Sequence, residues 1–309
     1  MSKRQSVYLL FLILLCMGAL AMRVVEYIFA IDPQTGYYAI NSTSILGFNI
    51  LSIVSIIFFI SSGFALRDQI VSINRKNNST VMNIACVFLL ITTVGNIFLE
   101  VKGIKNGEKD IFAILYLVFA VLMCAFLLVA IFNSKKLSFV MYLIPVLYCT
   151  VRLIEFFVKY TGVASIASKT FEILSLCALI LFFLYYSKSM IKSKGKKRTF
   201  AFGMCAVFVI VVSAIPSLIF MNKEEVGGNL AQFFVSQVHY LAFALFVISV
   251  LVPTKQTREK YEELLSQKQE ILKVEIEEED YIDDEYVSDD DKYEEFEESE
   301  EEQEFLDEE

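Results

Sequence analysis

The chain has 309 residues, of which 56% are hydrophobic, whereas an ordinary soluble domain is about 45–50% apolar. Its net charge of −9 averages two unlike parts: residues 274–309 hold 22 of the 36 acidic residues and a single lysine, and residues 1–273 carry a net charge of +12. The apolar residues fall in blocks of about twenty with few charges, the length that crosses a ~30 Å hydrocarbon layer, which excludes a soluble fold and predicts a polytopic membrane protein.

Eight long apolar blocks predict eight transmembrane helices. Only helices and closed barrels satisfy their backbone polar groups in lipid, and these blocks lack the alternation of barrel strands. The first block contains Arg23 and Glu26 and has no small-residue cleavage site, so we expect a retained helix rather than a signal peptide. The predicted spans are residues 7–30, 44–66, 80–101, 111–132, 137–158, 171–191, 199–221 and 229–252.

The distribution of basic residues predicts the orientation of these helices. Sixteen Lys and Arg residues fall on one side of the predicted bundle and six on the other. Because cytoplasmic loops carry the excess of Lys and Arg, we expect both termini in the cytoplasm and the chain in the cell membrane, which is the inner membrane of a bacterium. All predicted loops are short, so we expect no folded domain outside the membrane.

Similar segments recur in the two halves of the chain, in the same order. The segment that begins with Arg23 reads R-V-V-E-Y-I-F, and the segment that begins with Arg152 reads R-L-I-E-F-F-V, 129 residues later. Ile50-Leu51-Ser52 likewise matches Ile173-Leu174-Ser175. The spacing predicts a tandem duplication of a four-helix unit, and because four is even the two units are parallel repeats related about the membrane normal.

The first repeated segment continues into the outer loop I-D-P-Q-T-G-Y-Y, residues 31–38. An R-x-x-E-Y helix end followed by this loop resembles a family of uncharacterised bacterial multipass integral membrane proteins. The resemblance covers about twenty residues. It implies a membrane protein and no particular activity, cofactor or site.

The two R-x-x-E motifs place charged residues inside predicted spans. Glu26 and Glu155 follow Arg23 and Arg152 by three residues, so each arginine shares a helix face with its own glutamate. The predicted symmetry also permits pairs between Arg23 and Glu155 and between Arg152 and Glu26. Intramembrane charges are costly and often mark sites, so we interpret these four residues as candidate substrate-binding groups. The alternative is that the two pairs are structural.

Three further polar residues, Asn49, Asn96 and His239, are secondary candidates. Interhelical hydrogen bonds are the simpler interpretation of each, and we expect the lone histidine to be neutral and hydrogen-bonded. Glu100 and Glu172 fall at predicted helix ends, where we expect solvent to reach them. Pro145 and Pro216 fall within predicted helices, which we expect them to bend.

Enzyme signatures are missing from the sequence. It contains no G-x-x-x-x-G-K-[ST], G-x-S-x-G or H-E-x-x-H motif, and its six cysteines are widely spaced within apolar blocks. We therefore expect no catalytic residue, metal, cofactor or nucleic-acid partner.

The charged segments lie on the predicted cytoplasmic side. Residues 188–198 carry six positive charges, which suit anionic headgroups. Residues 274–309 are too acidic and too poor in aliphatic side chains to form a core, so we expect a disordered tail. This tail could dock a basic cytoplasmic partner.

The sequence thus predicts an all-α membrane bundle of eight helices. Its predicted parts are residues 1–133 and 134–253 as the two repeats, 254–273 as a cytoplasmic amphipathic linker, and 274–309 as the tail. Two functions remain open. The first is binding or transport of a small solute or ion at the repeat interface. The second is a non-enzymatic sensor or accessory subunit whose tail docks a cytoplasmic partner. The oligomeric state is not predicted.

Overall fold

The structure, a computed structural model, is all-helical. It describes residues 3–29, 43–66, 71, 73, 80–105, 111–132, 139–160, 167–191, 195–220 and 230–252. These residues contain eight α-helices, each long and apolar enough to cross a membrane, which confirms the prediction of a polytopic membrane protein. The helices are α1 Lys3–Phe29, α2 Thr43–Ala65, α3 Thr80–Lys105, α4 Ile111–Phe132, α5 Ile144–Tyr160, α6 Ala167–Ile191, α7 Lys196–Ile219 and α8 Leu230–Leu251.

The two intrahelical prolines occupy different positions. A 3₁₀ segment, Phe139–Leu143, runs directly into α5, which begins at Ile144. Pro145 is the second residue of α5, at the change from 3₁₀ to α-helix, and the bend predicted there stays a prediction. Pro216 does lie inside α7, close to its end, and the N–H of Phe220 donates to its carbonyl at 2.9 Å.

Helix α7 lies at the centre of the bundle and contacts α1, α2, α6 and α8. In the most apolar 18-residue stretch of α7, 72% of the residues are buried, compared with 22% in the corresponding stretch of α1. The other contacts follow the chain from α3 through α4 and α5 to α6, and α8 also packs against α3. The last three helices therefore form most of the core.

Glycines permit close approach at two contacts of α7. A Cβ atom on Gly63 of α2 would lie 2.7 Å from Ala201 Cβ and 3.3 Å from the Lys197 carbonyl oxygen. A Cβ on Gly203 of α7 would lie 2.8 Å from a Leu251 methyl carbon and 3.2 Å from the Phe182 ring. Small residues at such contacts are what brings helices close together in membranes, where no hydrophobic effect drives them.

The outer surface of the bundle is apolar. Large apolar side chains are exposed along α1 to α5, and they face outward where a soluble protein would present charge. This distribution fits contact with lipid tails. Examples are Ile13, Leu14, Ile53, Ile57, Ile91, Val118 and Val121.

Several predicted features lie outside the described residues. They include the outer loop at 31–38, part of the basic segment at 192–194, and the linker and tail from residue 253 onward. The division of the chain into two parallel repeats stays a prediction, as does the orientation of the termini.

Candidate functional site

Most intramembrane charges gather toward one end of the bundle, which we call the polar end. Helices α1, α3 and α5 end there, whereas α6 and α8 begin there. Contacts between side chains of these helices establish this arrangement and are described below. The charged residues concerned are Arg23, Glu26, Glu100, Arg152, Glu155 and Glu172.

The first R-x-x-E motif forms an enclosed cluster. Arg23 is 1% exposed and donates to Glu26 Oε2 at 2.5 Å. Its guanidinium carbon lies 5.0 Å from the centroid of the Phe48 ring and 4.8 Å from that of Phe171, and these two rings are 5.2 Å apart. The Tyr27 ring is 5.1 Å away. Arg23 thus links α1 to α2 and α6 through cation–π contacts.

Tyr27 connects this cluster to the end of α7. Its hydroxyl lies 3.3 Å from the Ser217 hydroxyl, one residue after Pro216, and its ring stacks on Phe220 with centroids 5.2 Å apart. The end of α7 is thereby fixed against α1.

The second R-x-x-E motif forms a more open cluster, which we call the Arg152 cluster. Arg152 Nη1 donates to Glu155 Oε2 at 2.6 Å and lies 3.3 Å from Glu100 Oε1. Gln232 Nε2 donates to the same Glu100 oxygen at 3.3 Å, and the Arg152 guanidinium carbon lies 4.8 Å from the Tyr116 ring centroid. The Arg152 side chain is 17% exposed, and the other residues of the cluster come from three further helices, α3, α4 and α8.

A chain of buried hydroxyl and imidazole groups starts at Tyr116, which we call the His239 chain. The hydroxyls of Tyr116 and Tyr148 lie 2.7 Å apart, and the Tyr148 hydroxyl lies 2.9 Å from His239 Nε2. His239 Nδ1 lies 3.0 Å from Thr92 Oγ1. The chain joins α4, α5, α8 and α3, and it confirms that the single histidine is hydrogen-bonded.

Glu100 and Glu172 are buried, so the prediction that solvent reaches them is wrong. The reason is helix length: α3 continues to Lys105 and α6 begins at Ala167, which places both carboxylates more than one turn inside their helices. Glu172 accepts a hydrogen bond of 2.5 Å from Gln237 Nε2. Among the described residues, the Gln237 Oε1 atom has no hydrogen-bond partner.

The predicted site residues have different environments. Arg23, Glu26 and Glu155 are buried, and Arg152 is partly exposed. Both arginines pair with the glutamate of their own helix, whereas the pairs between the two motifs stay predictions. Asn96 is buried on α3, but Asn49 lies on the exposed side of α2 and does not point into the bundle.

Sequence reasoning missed most partners of Arg152 and His239. One signal was present: Thr92, Asn96 and Glu100 recur every four residues on α3, and this spacing places them along one face of the helix. The other partners stand alone among apolar residues, and only the packing of the helices brings them together. They are Tyr116, Tyr148 and Gln232.

Within the described ranges, no group of three or more His, Cys, Asp or Glu side chains is placed to hold a metal ion. All six cysteines lie in described helices and are free thiols. Comparison with protein-family models, with curated proteins and with solved structures found no match to this chain.

Proposed function

We propose that this polytopic membrane protein is not an enzyme and that it binds or transports a small solute or ion at the Arg152 cluster. The observation that carries the proposal is the combination of charge and access there. Arg152 is an intramembrane cation at the interface of α3, α4, α5 and α8, its ion pair with Glu100 is 3.3 Å long, and its side chain is 17% exposed. Ionisable groups inside a membrane bundle commonly mark such pathways.

The contrast between the two motifs supports this choice of site. Arg23 is almost completely enclosed by three aromatic rings and its own glutamate, so a ligand would have to displace packed side chains to reach it. Arg152 is held tightly by Glu155 at 2.6 Å but more loosely by Glu100. A ligand group could replace the Glu100 contact while Glu155 keeps Arg152 in place.

Polar groups continue inward from the Arg152 cluster. Asn96 and Thr92 follow Glu100 along the buried face of α3, and Tyr148 and His239 stand opposite Thr92. A polar seam between four helices is costly to maintain in an apolar environment, and this cost favours a functional interpretation.

The experiment is a thermal-stability screen of the full-length protein in detergent. The probes are sodium chloride, ammonium chloride, sodium phosphate, sodium acetate, glycine and glutamate, with choline chloride holding the ionic strength constant. A ligand that binds only the folded state raises its stability, by about 2.7 kcal/mol at a hundred times its Kd. We expect at least one probe to raise the Tm of the wild-type protein.

Arg152→Lys and Glu100→Gln test whether the effect belongs to this cluster, because both keep approximate side-chain size and so favour folding. We expect each to reduce the ligand-induced shift, whereas Arg198→Ala, which changes an exposed arginine at the start of α7, leaves it unchanged. A shift that survives in both cluster variants, or a panel without any shift, would contradict the proposal.

The second function, a sensor or accessory subunit, depends on residues 274–309, which lie outside the described part of the chain. It stays a hypothesis and is tested separately by truncation.

A further inference from the structure

The distances within the His239 chain determine where its hydrogens lie. Four groups take part, and each hydroxyl carries one hydrogen. Thr92 Oγ1 lies 3.0 Å from the Leu89 carbonyl oxygen, as well as 3.0 Å from His239 Nδ1. The Leu89 carbonyl also accepts from Thr93 Oγ1 at 2.7 Å, so the Thr92 contact alone does not determine in which direction the hydrogen bonds of the His239 chain run.

The Tyr116 hydroxyl does determine the direction of these hydrogen bonds. Tyr116 is 1% exposed, and the described residues give its hydroxyl one hydrogen-bonding neighbour, the Tyr148 oxygen. If Tyr116 donates to Tyr148, then Tyr148 donates to His239 Nε2. His239 then carries its hydrogen on Nδ1 and donates it to Thr92, which in turn donates to Leu89. Every hydrogen of the chain then has an acceptor.

The reverse direction leaves one hydrogen without an acceptor. Thr92 would donate to Nδ1, Nε2–H would donate to Tyr148, and Tyr148 would donate to Tyr116. The Tyr116 hydrogen would then be buried without an acceptor among the described residues, at a cost of about 1–3 kcal/mol. That difference corresponds to about a 5- to 150-fold preference for the first direction.

A doubly protonated imidazole is also disfavoured. The groups around His239 are Thr92 on α3, Tyr148 on α5, and Phe243 on its own helix, whose ring centroid is 4.8 Å away. Charged groups adjoin the Tyr116 end of the His239 chain. They are Arg152, which lies over the Tyr116 ring, and its partners Glu100 and Glu155. Arg152 follows Tyr148 by one helical turn on α5, so an imidazolium at His239 would add a second cation within the helices close to an existing one.

We propose that His239 is a positioning residue, held as the neutral Nδ1–H tautomer, which anchors Tyr148 and through it Tyr116 beneath Arg152. In this direction the Tyr116 hydrogen is already committed to Tyr148. The Tyr116 oxygen therefore offers only lone pairs, and any group that binds to it must be a hydrogen-bond donor. This consequence for ligand choice rests on the proposed function, whereas the tautomer and the direction of the chain do not.

The test uses the fact that the protein has a single histidine. Full-length protein carrying a tag without histidine is labelled with ¹⁵N-histidine and placed in lipid nanodiscs without added ligand. Nitrogen NMR then distinguishes the protonated from the unprotonated ring nitrogen. We expect Nδ1 to be protonated and Nε2 unprotonated. A predominant Nε2–H tautomer or an imidazolium at neutral pH would overturn the proposal.

Tyr116→Phe provides a second test at a residue that does not touch His239. In the proposed direction the Tyr148 hydroxyl still donates to Nε2, whereas in the reverse direction the Tyr148 hydrogen would lose Tyr116 as its acceptor. We therefore expect the Nδ1–H tautomer to persist in this variant. A predominant Nε2–H tautomer in Tyr116→Phe would contradict the proposed direction of the hydrogen bonds.

Thr92→Val and Thr92→Ser provide a matched pair. The serine keeps the hydroxyl that accepts from Nδ1, so we expect wild-type ring signals, whereas the valine removes the acceptor and should shift the Nδ1 resonance. If Thr92 served only to pack against its neighbours, Thr92→Val and Thr92→Ser would give the same nitrogen spectrum. Because no ligand is present, these results stand apart from the thermal screen, so either proposal can fail without the other.

Discussion

Glu100 on α3 accepts a hydrogen bond from Arg152 on α5, and this 3.3 Å contact joins the first four helices to the last four. Gln232 on α8 donates to the same carboxylate oxygen. Three helices that are distant in sequence therefore meet at one atom. Because the Glu100 contact is the longer of the two ion pairs of Arg152, Glu100 is the partner that can be exchanged most easily.

We expect Glu100→Gln to cost less stability than Glu155→Gln. The amide at position 100 can still accept from Arg152, so the loss should be about 1 kcal/mol, whereas Glu155 is more deeply buried and forms the shorter pair. The Tm is measured with a thiol-reactive fluorogenic dye, because the chain has no tryptophan and its cysteines lie within the helices. Equal losses, or the opposite order, would contradict the assignment of Glu155 as the tighter partner.

Arg23→Ala should be strongly destabilising, because it removes a buried ion pair together with three ring contacts. Breaking a buried pair typically costs about 3–5 kcal/mol. A double-mutant cycle with Glu26→Ala should show coupling between the two residues, measured as the Tm by the same dye. Arg198→Ala is the control, since its side chain is exposed and lies 5.5 Å from the Tyr185 ring centroid, and it should change the Tm little. A similar small effect at Arg23 would mean that the enclosed pair contributes little.

Gly63→Ala should destabilise the contact of α2 with α7. The added Cβ would lie 2.7 Å from Ala201 Cβ and 3.3 Å from a backbone carbonyl, so the helices must separate, at a cost of about 1–3 kcal/mol. Gly18→Ala is the matched control, because a Cβ there meets nothing within 4 Å. The Tm should fall for Gly63→Ala and not for Gly18→Ala. If both variants have the same Tm, α2 and α7 do not approach as closely as described.

The predicted orientation can be tested with engineered cysteines. We expect Asp32→Cys, in the predicted outer loop, to react with a membrane-impermeant maleimide in intact cells, because that loop faces outward. Lys192→Cys, in the basic segment, should react only after the membrane is opened. Native cysteines lie within helices, so their background labelling should be low. The reverse pattern would place the termini outside.

Truncation after residue 273 separates the two functional hypotheses. The Arg152 cluster lies within the helices, so the shortened chain should keep any ligand-induced rise in Tm. If the tail docks a cytoplasmic partner, a protein that co-purifies with the full-length chain in mild detergent should be lost on truncation. Purification of both forms alone would count against the accessory-subunit hypothesis.

The eight spans could be predicted because each apolar block is long, continuous and separated from the next by polar residues. The ends were harder, since apolar composition does not show where a helix continues past the hydrocarbon core. Glu100 illustrates the consequence: it was placed at a helix end, but α3 extends beyond it to Lys105, and the carboxylate is buried.

The composition of the candidate site could be predicted only in part. The pairs Arg23–Glu26 and Arg152–Glu155 follow from spacing within one helix, and both are observed. The contacts of Tyr116, Tyr148 and His239 depend on which helices are neighbours, and one sequence does not determine that. Asn49 shows the same limit, because polarity alone did not indicate that it lies on the outer side of α2.

The central place of α7 has a consequence for biogenesis. Helices α1 and α2 leave the ribosome first, yet much of their packing surface is supplied by residues 196–219, and Arg23 also needs Phe171 of α6. The first hairpin must therefore wait in the lipid, with its arginine incompletely enclosed, until most of the chain has been synthesised. Nascent chains arrested before residue 196 should be good substrates for membrane quality-control proteases, and chains arrested after α8 should resist them.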